Sequence, residues 1–576
     1  MPDGVSRDVP MAKFDGEVDV CIVGSGAGGG PMALELARAG VKVVVLEKGP
    51  WFSRADFKRD EIASCRRNMW APFVSEEPHL IRRNGGPPQT TAEGWIANCV
   101  GGGTVHMSGF FYRLQPEDFR MATLYGGLKG AELADWPFGY DALAPWYDKV
   151  EREIGVSGQA GEHPRQAKRS GPYPLGPLLG NPLAGLIDAG AKKLGLHPFQ
   201  TPRAIASAEF KGRSGCLYCE LCGSYGCQSG AKSSSLEAVI PTAVATGKCE
   251  VRPGSMAFEV ATNPATGKAT GVRYFDAAGA RREQKARVVV VSATAIESAR
   301  LLLNSRSAGH PDGLANDQGL VGRHLTFSTL GKAWGEWEQS KLPEAMRGEH
   351  RIHFLQRSIQ DLYRLPKAAA ASDGYDKGGT LNFLLPHRNP IHSAERLANR
   401  SQPALWGAPL QQAIRRSLED VQELEVEVFA EFLPTPETRV TVSRGAPGGL
   451  MQGKKDKWGL PVAEIHLTHH PFDKRNCKTL VDKAVELFKA GGAADTGVQT
   501  VGGTTFILQH GTCRFGQDPS KTVLNPDCRA HSVDNLYVVD GSFLPTSGGV
   551  PTTWTIMANA FRVADHLVRR FKAREL

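Results

Sequence analysis

No apolar run in this 576-residue chain approaches the roughly 18 residues that cross a bilayer, so no membrane-spanning helix is expected. The stretch Met1 to Glu17 is polar, carries both charge signs and has no apolar core, so no signal peptide is expected. Blocks of Lys and Arg are missing too. The 68 basic and 60 acidic residues leave +8 spread along the chain, which gives no reason to expect nucleic-acid binding. Cysteine is sparse, at 11 residues, and a chain this long is not expected to be organised by disulfides. No internal repeat is evident. What remains is ordinary for a globular protein, 41% hydrophobic and 22% charged, and the length implies two or three domains.

The densest signal lies near the N-terminus. Val20 to Val23 reads as a short buried strand, and Gly24, Gly26 and Gly29 then form G-x-G-x-x-G. Pro31 to Gly40 has helical spacing, and a second apolar run, Val41 to Leu46, ends in Glu47. This is a βαβ unit of about 30 residues with each part where a dinucleotide site needs it. The first glycine permits a tight turn, the second lets backbone approach a pyrophosphate, and the third lets helix pack on strand. Phosphate suits the helix N-terminus, where free N–H groups point outward. Glu47 suits a ribose hydroxyl. The reading is an α/β protein that binds a dinucleotide.

Further along, Asn98 to Gly109 contains three consecutive glycines, Gly101 to Gly103, then Thr104 and His106, a loop rich in backbone donors. Helices are expected near 135–155, 183–196 and 233–246, with a β-meander over 249–293 running into a helix, Ile296 to Leu303. Residues 325–500 are the least legible. They show strands at Val440 to Ser443 and Val462 to His466 and a helix from Lys474 to Ala490, and are assigned to a substrate side by elimination. Leu536 to Val539 reads as a buried strand ending in Asp540-Gly541, where open α/β sheets present ligands.

Four of the cysteines, Cys216, Cys219, Cys222 and Cys227, form C-x2-C-x2-C-x4-C, close to the ferredoxin-type run whose thiolates hold an iron–sulfur cluster. A structural zinc site and plain thiols or disulfides are the competing readings.

Together these pieces resemble the glucose–methanol–choline (GMC) family of FAD oxidoreductases: the βαβ unit, Gly101-Gly102-Gly103-Thr104, Ala295-Ile-Glu297 before Leu301-Leu-Leu303, and Asp540-Gly-Ser fall in family order. The resemblance implies FAD as the dinucleotide, with Glu47 on the adenosine ribose, backbone near Val251 by the adenine, and Asp540-Gly541 near the ribityl chain and pyrophosphate. It implies a Rossmann-like FAD domain with a discontinuous substrate domain on an antiparallel sheet. The expected layout is FAD-binding parts at 17–134, 211–324 (with the cysteines) and 501–576, a connecting segment at 135–210 and a substrate domain at 325–500. His106 stands where some members attach FAD covalently and others merely pack a histidine. The cysteine segment is similar to the branch that includes the FAD subunits of bacterial glucose, fructose, gluconate and glucoside dehydrogenases, implying a 3Fe-4S or 4Fe-4S cluster, a small accessory subunit and a cytochrome or other acceptor.

The resemblance also implies a base in H-x-x-G-T/G and an Asn or His in a later Asn-Pro-x-x-Thr block. This sequence departs at both, with Leu508 at the first position and Pro551 where the Asn would fall. A shifted His510, helped by Asn559 or a hydroxyl such as Thr553, is one candidate; a base elsewhere is the other. The expected function is an FAD-dependent dehydrogenase oxidising a hydroxyl of a sugar, glycoside or polyol to a carbonyl. The alternatives are an oxygen-using oxidase and a catalytically weakened FAD-binding subunit of a complex. The expected location is cytoplasmic, or periplasmic by co-export with a signal-bearing partner.

Overall fold

The computed structural model describes residues 12–66, 69–219, 221–348, 354–366, 374–387, 389–444 and 453–576. Most of the polar stretch Met1 to Glu17 therefore lies outside the described residues.

A seven-stranded sheet carries the dinucleotide motif. Strand Val18–Val23 is its centre, flanked in parallel by Val43–Leu46 and by the end of Arg281–Val291, with Val20 opposite both Val43 and Val288. The long Arg281–Val291 strand changes character along its length. Its first half alternates exposed and buried residues and pairs antiparallel with Ala269–Phe275; Val288 to Val291 are all buried and pair in parallel. That switch is what sequence periodicity expects of a strand leaving a solvated hairpin for a sheet covered on both faces. Leu536–Val538 pairs in parallel with Val289 to Val291 on the side away from Val18–Val23. One expectation is corrected here. Cys249–Arg252 is not the first strand of the meander but the outer parallel strand beside Val43–Leu46. Its residues Cys249 to Val251 are buried, as a strand under helices requires.

Helix Gly29–Arg38 follows the glycine loop, and the C-terminal helix Thr553–Lys572 packs on it and on Tyr140–Ile154.

The second sheet has five antiparallel strands in the order Arg357–Ile359, Gly379–Leu384, Val421–Ala430, Thr326–Glu338, Asp495–His510. One face packs on helix Pro471–Ala490: Ala333, Leu424, Val426 and Val428 meet Cys477, Leu480, Val481 and Phe488 in a closed core. The helix starts three residues before the expected Lys474, with Pro471 in its first turn and a reciprocal cap between His470 and Asp473. Thr326–Glu338 escaped sequence reading because Gly331 and Gly335 interrupt its apolar pattern. Gly331 is there for close approach: a Cβ would lie 2.4 Å from Val481 Cγ2 and 2.9 Å from Cys477 Sγ. A smaller sheet of Arg439–Val442, Ala463–Leu467, His79–Arg83 and Gln89–Thr91 lies in sequence-distant pieces.

Candidate functional site

A cavity of about 550 Å3 is lined from both large sheets. The first wall is backbone. Residues Gly24 to Gly28 line it, and Gly24 has φ +93°, with an added Cβ falling 2.2 Å from Ser292 O. No side chain fits there. Gly29 does not line the cavity; its Cβ would sit 1.9 Å from Gly24 O, so it serves the helix–loop packing. Glu47 lines the cavity and is held in place: Oε2 accepts from the Ser25 N–H at 3.1 Å and Oγ at 2.6 Å, and Oε1 accepts from the Gly49 N–H at 3.0 Å. Burial raises the pKa of its carboxyl, against those bonds and nearby Lys48, which favour the carboxylate.

The Gly101 to His106 turn is tied to the same loop. The Gly101 N–H donates to Ser25 Oγ at 2.9 Å, and Thr104 Oγ1 donates to Gly101 O at 2.6 Å while accepting from the Ser235 N–H at 2.9 Å. Gly102, Gly103, Thr104 and His106 all line the cavity. The His106 ring stacks on Trp70 with centroids 5.2 Å apart. Asp540 and Gly541 line it as well, Asp540 accepting from the Ser542 N–H at 2.8 Å and from the Ser298 hydroxyl. Val251 is buried in its strand and does not line the cavity, whereas Ser255 to Phe258 do. Backbone donors beside a glycine turn, a carboxylate at the end of the second strand and Asp540-Gly541 at a strand end form a donor set that fits FAD.

Of the catalytic candidates from sequence, His510 and Asn559 are not at the wall. His510 is buried, absent from the cavity lining, and 2.7 Å from Thr552 Oγ1 through one ring nitrogen. Its strand pairing is irregular between Thr505 and His510, which carries the ring out of the cavity-facing row. Burial pushes its pKa down to about 3, so the ring is neutral. Thr552, not Thr553, is its partner, and Thr552, Thr553, Pro551 and Leu508 line the cavity. Asn559 is buried in the C-terminal helix, its amide 3.2 Å from Cys528 Sγ and its oxygen accepting from Arg562 Nε at 2.9 Å. It too is absent from the lining, because its helix turns that face toward the 525–528 loop.

The second sheet supplies groups the sequence reading missed. Opposite residues Leu330 and Phe429, and Lys332 and Glu427, form two neighbouring cross-strand pairs on one face, and all four line the cavity with His387. Lys332 Nζ is 2.8 Å from Glu427 Oε1. Glu427 raises the Lys332 pKa; burial would raise that of Glu427, but Lys332, with His387 and Arg203, holds the carboxyl below its ordinary value. Burial lowers the His387 pKa. A signal was available. Glu423, Glu425 and Glu427 alternate with Leu424, Val426 and Val428, the period of a half-buried strand.

The cysteine segment lies close by. Cys216, Cys222 and Cys227 pack on Ile205, Ala231, Leu178 and Phe354, while Cys219 is exposed. Among the described residues no group of three or more His, Cys, Asp or Glu side chains is disposed to hold a metal. The surroundings of the thiols pull two ways. Buried Lys232 and Arg203 favour the charged form of Cys222, although burial wins and pushes its pKa up to about 11. The Lys232 and Tyr218 N–H groups point at Cys227 Sγ and Cys216 Sγ at 3.5 and 3.4 Å. Lys232 Nζ donates to Cys222 O and Tyr225 O, each at 2.7 Å, and to Val105 O at 3.3 Å, joining this segment to the glycine turn. The donor chemistry fits an anionic thiolate centre; a formed ligand cage is not present among the described residues.

Comparison with known proteins agrees with this architecture. Residues 178–328 and 447–560 match the GMC oxidoreductase family, and residues 17–66 match an FAD binding domain. A 2-methyl-1,2-propanediol dehydrogenase of Mycolicibacterium austroafricanum is 32% identical, covering 97% of each chain. A paromamine 6'-oxidase of Streptomyces fradiae is 32% identical over 96% of this chain and 93% of its own. Pyridoxine 4-oxidase from Mesorbium loti has the same fold, with a TM-score of 0.61 at 18% identity over 96% of this chain and 99% of that one. The chain belongs to the GMC family of FAD-dependent oxidoreductases that act on CH–OH groups. No helix among the described residues is long and apolar enough to cross a membrane.

Proposed function

We propose that the protein is a dehydrogenase that oxidises one hydroxyl of a small polyol, sugar or glycoside to a carbonyl. The observation that carries this reading is the cavity whose first wall is nucleotide-binding backbone and whose second is the apolar pair Leu330–Phe429 beside the polar pair Lys332–Glu427. Bound FAD supplies a two-electron acceptor for hydride. The chain's own part is to bind and orient. Gly24 to Gly28 and Glu47 hold the nucleotide, the Gly101 turn and Asp540 fix its approach, and the second sheet presents the hydroxyl compound. The name of the 32%-identical diol dehydrogenase favours a small diol.

An iron–sulfur cluster on Cys216, Cys219, Cys222 and Cys227 would supply one-electron carriage to an acceptor, a cytochrome or a quinone-linked protein, with a small accessory subunit as companion. Buried Lys232 and Arg203 beside the thiols support it. The rival is an oxidase that passes electrons directly to oxygen, favoured by the name of the 32%-identical oxidase.

The test is iron and acid-labile sulfide analysis on protein purified without oxygen, together with its absorption spectrum. Near-equal iron and sulfide beneath a flavin spectrum support the dehydrogenase. Flavin without iron, with prompt reoxidation by oxygen after anaerobic reduction, establishes the oxidase.

A further inference from the structure

The wall that carries no expected base has another imidazole on it. His387 follows the Gly379–Leu384 strand by three residues and lines the cavity with Lys332 and Glu427. Its ring edge rests on the cysteine segment: a Cβ on Gly223 would fall 2.7 Å from His387 Cε1 and 3.0 Å from Nε2, and 2.7 Å from Ser108 Oγ. Ser108 and Gly223 line the same cavity. The charged groups facing the ring are Glu427 and Lys332 from the sheet, His392 from the Pro390–Ala398 helix and Arg203. Leu508 brings only hydrocarbon to this space, and His510 is turned to Thr552.

The second observation is the side-chain pairing itself. Lys332 and Glu427 place ammonium donors and a carboxylate acceptor 2.8 Å apart, next to the apolar Leu330–Phe429 pair. One hydroxyl held at His387 leaves this pair unused. A hydroxyl on the adjacent carbon, both donor and acceptor, accepts from Lys332 and donates to Glu427 while the carbon skeleton lies on Leu330 and Phe429.

We infer that His387 is the proton acceptor for the reacting hydroxyl and that the Lys332–Glu427 pair binds the adjacent hydroxyl of a vicinal diol. This rests on the hydroxyl-oxidation reading above. The substrate O–H bond breaks and its proton passes to a His387 ring nitrogen. The carbinol C–H bond breaks with its electron pair leaving as hydride and the C=O bond forms, a two-electron oxidation of the carbon whose hydride a bound FAD would accept. His387 acts as general base, a part typically worth about 10²–10⁴ in rate.

The experiment uses the full-length, FAD-replete protein. Pinacol has adjacent hydroxyls but no carbinol C–H, so it binds without reacting. By calorimetry, K332M and E427Q each weaken pinacol about tenfold or more while weakening the mono-alcohol 2-methyl-2-butanol less than about twofold, as loss of one charge-assisted hydrogen bond requires. Equal weakening of both, or of neither, overturns the diol assignment. In anaerobic stopped-flow with 1,2-propanediol and glycerol, H387A and the bulkier H387Q slow flavin bleaching about a hundredfold or more with FAD content unchanged, and added imidazole restores part of the H387A rate. Bleaching near the wild-type rate, or slowing that imidazole never relieves, overturns the base. If wild-type protein is bleached by no hydroxyl compound, the parent reading fails, while the pinacol comparison still judges the subsite.

Discussion

The two walls of the cavity are made of different material. The nucleotide wall is backbone held by short local contacts: a glycine turn, Ser25 bridging Glu47 and Gly101, and Asp540 capping its own turn. The opposite wall and the layer behind it carry side-chain charges taken out of water. Lys377 is fully buried against Asp118, which also accepts from Tyr363 Oη at 2.6 Å. Glu431, equally buried, holds the loop before Pro551: its Oε1 accepts from the Ser547 N–H at 2.8 Å, Ser547 Oγ at 2.9 Å and the Gly548 N–H at 3.1 Å. A backbone wall tolerates no added atom; a charged wall tolerates no lost partner.

That contrast can be broken experimentally. The largest effect is expected on the backbone side. Gly24→Val drives a Cβ into Ser292 O and is expected to abolish FAD retention, read as flavin per chain and as a lowered unfolding temperature. Full flavin occupancy in this variant would end the account of the first wall. Next comes the charged side. Lys377→Met leaves the Asp118 carboxylate buried without its cation and is expected to cost about 3–5 kcal/mol in denaturant unfolding, with the double variant K377M/D118N recovering much of it. A loss under about 1 kcal/mol would show that the pair does not carry this wall.

The smallest effect sharpens the comparison through pH. Burial raises the Glu431 pKa to about 7 from the ordinary carboxylate value near 4.5, Lys377 opposing and Asp118 assisting the shift. Its Oε2 has no hydrogen-bond partner among the described residues. Between those two pH values the folded state binds more protons than the unfolded chain, so this group makes stability fall as pH rises from about 4.5 to about 7, by roughly 3 kcal/mol in all, and then level off. In Glu431→Gln the slope in that window flattens. An unchanged slope, measured by denaturation at several pH values, would place the titration elsewhere.

Legibility in the sequence follows the same division. The βαβ unit, the glycine turn and the Leu536 strand ending in Asp540-Gly541 were readable, since each is specified by residues a few positions apart. Helix Pro471–Ala490 is legible over Lys474 to Ala490, but its first turn and the His470–Asp473 cap are not. The long Thr326–Glu338 strand was not, because its glycines answer to a helix that lies far along the chain. His510 and Asn559 illustrate the same limit at the site. A histidine beside a glycine motif is visible in sequence, but which way its ring turns depends on an irregular strand pairing with Thr326. Asn559 sits on a helix whose position in sequence says nothing of which face meets Cys528.

By itself the sequence determined that a dinucleotide binds near the N-terminus, that the family is that of the FAD oxidoreductases, and that four cysteines lie in one short segment. Tertiary structure alone decided which groups face the cavity opposite the glycine loop. Lys332, His387 and Glu427 come from separate segments and meet only because the strands pair in one register, in which Lys332 stands opposite Glu427. A slip of one residue would send each strand's cavity-facing side chains into the core, and nothing local in either strand encodes its partner.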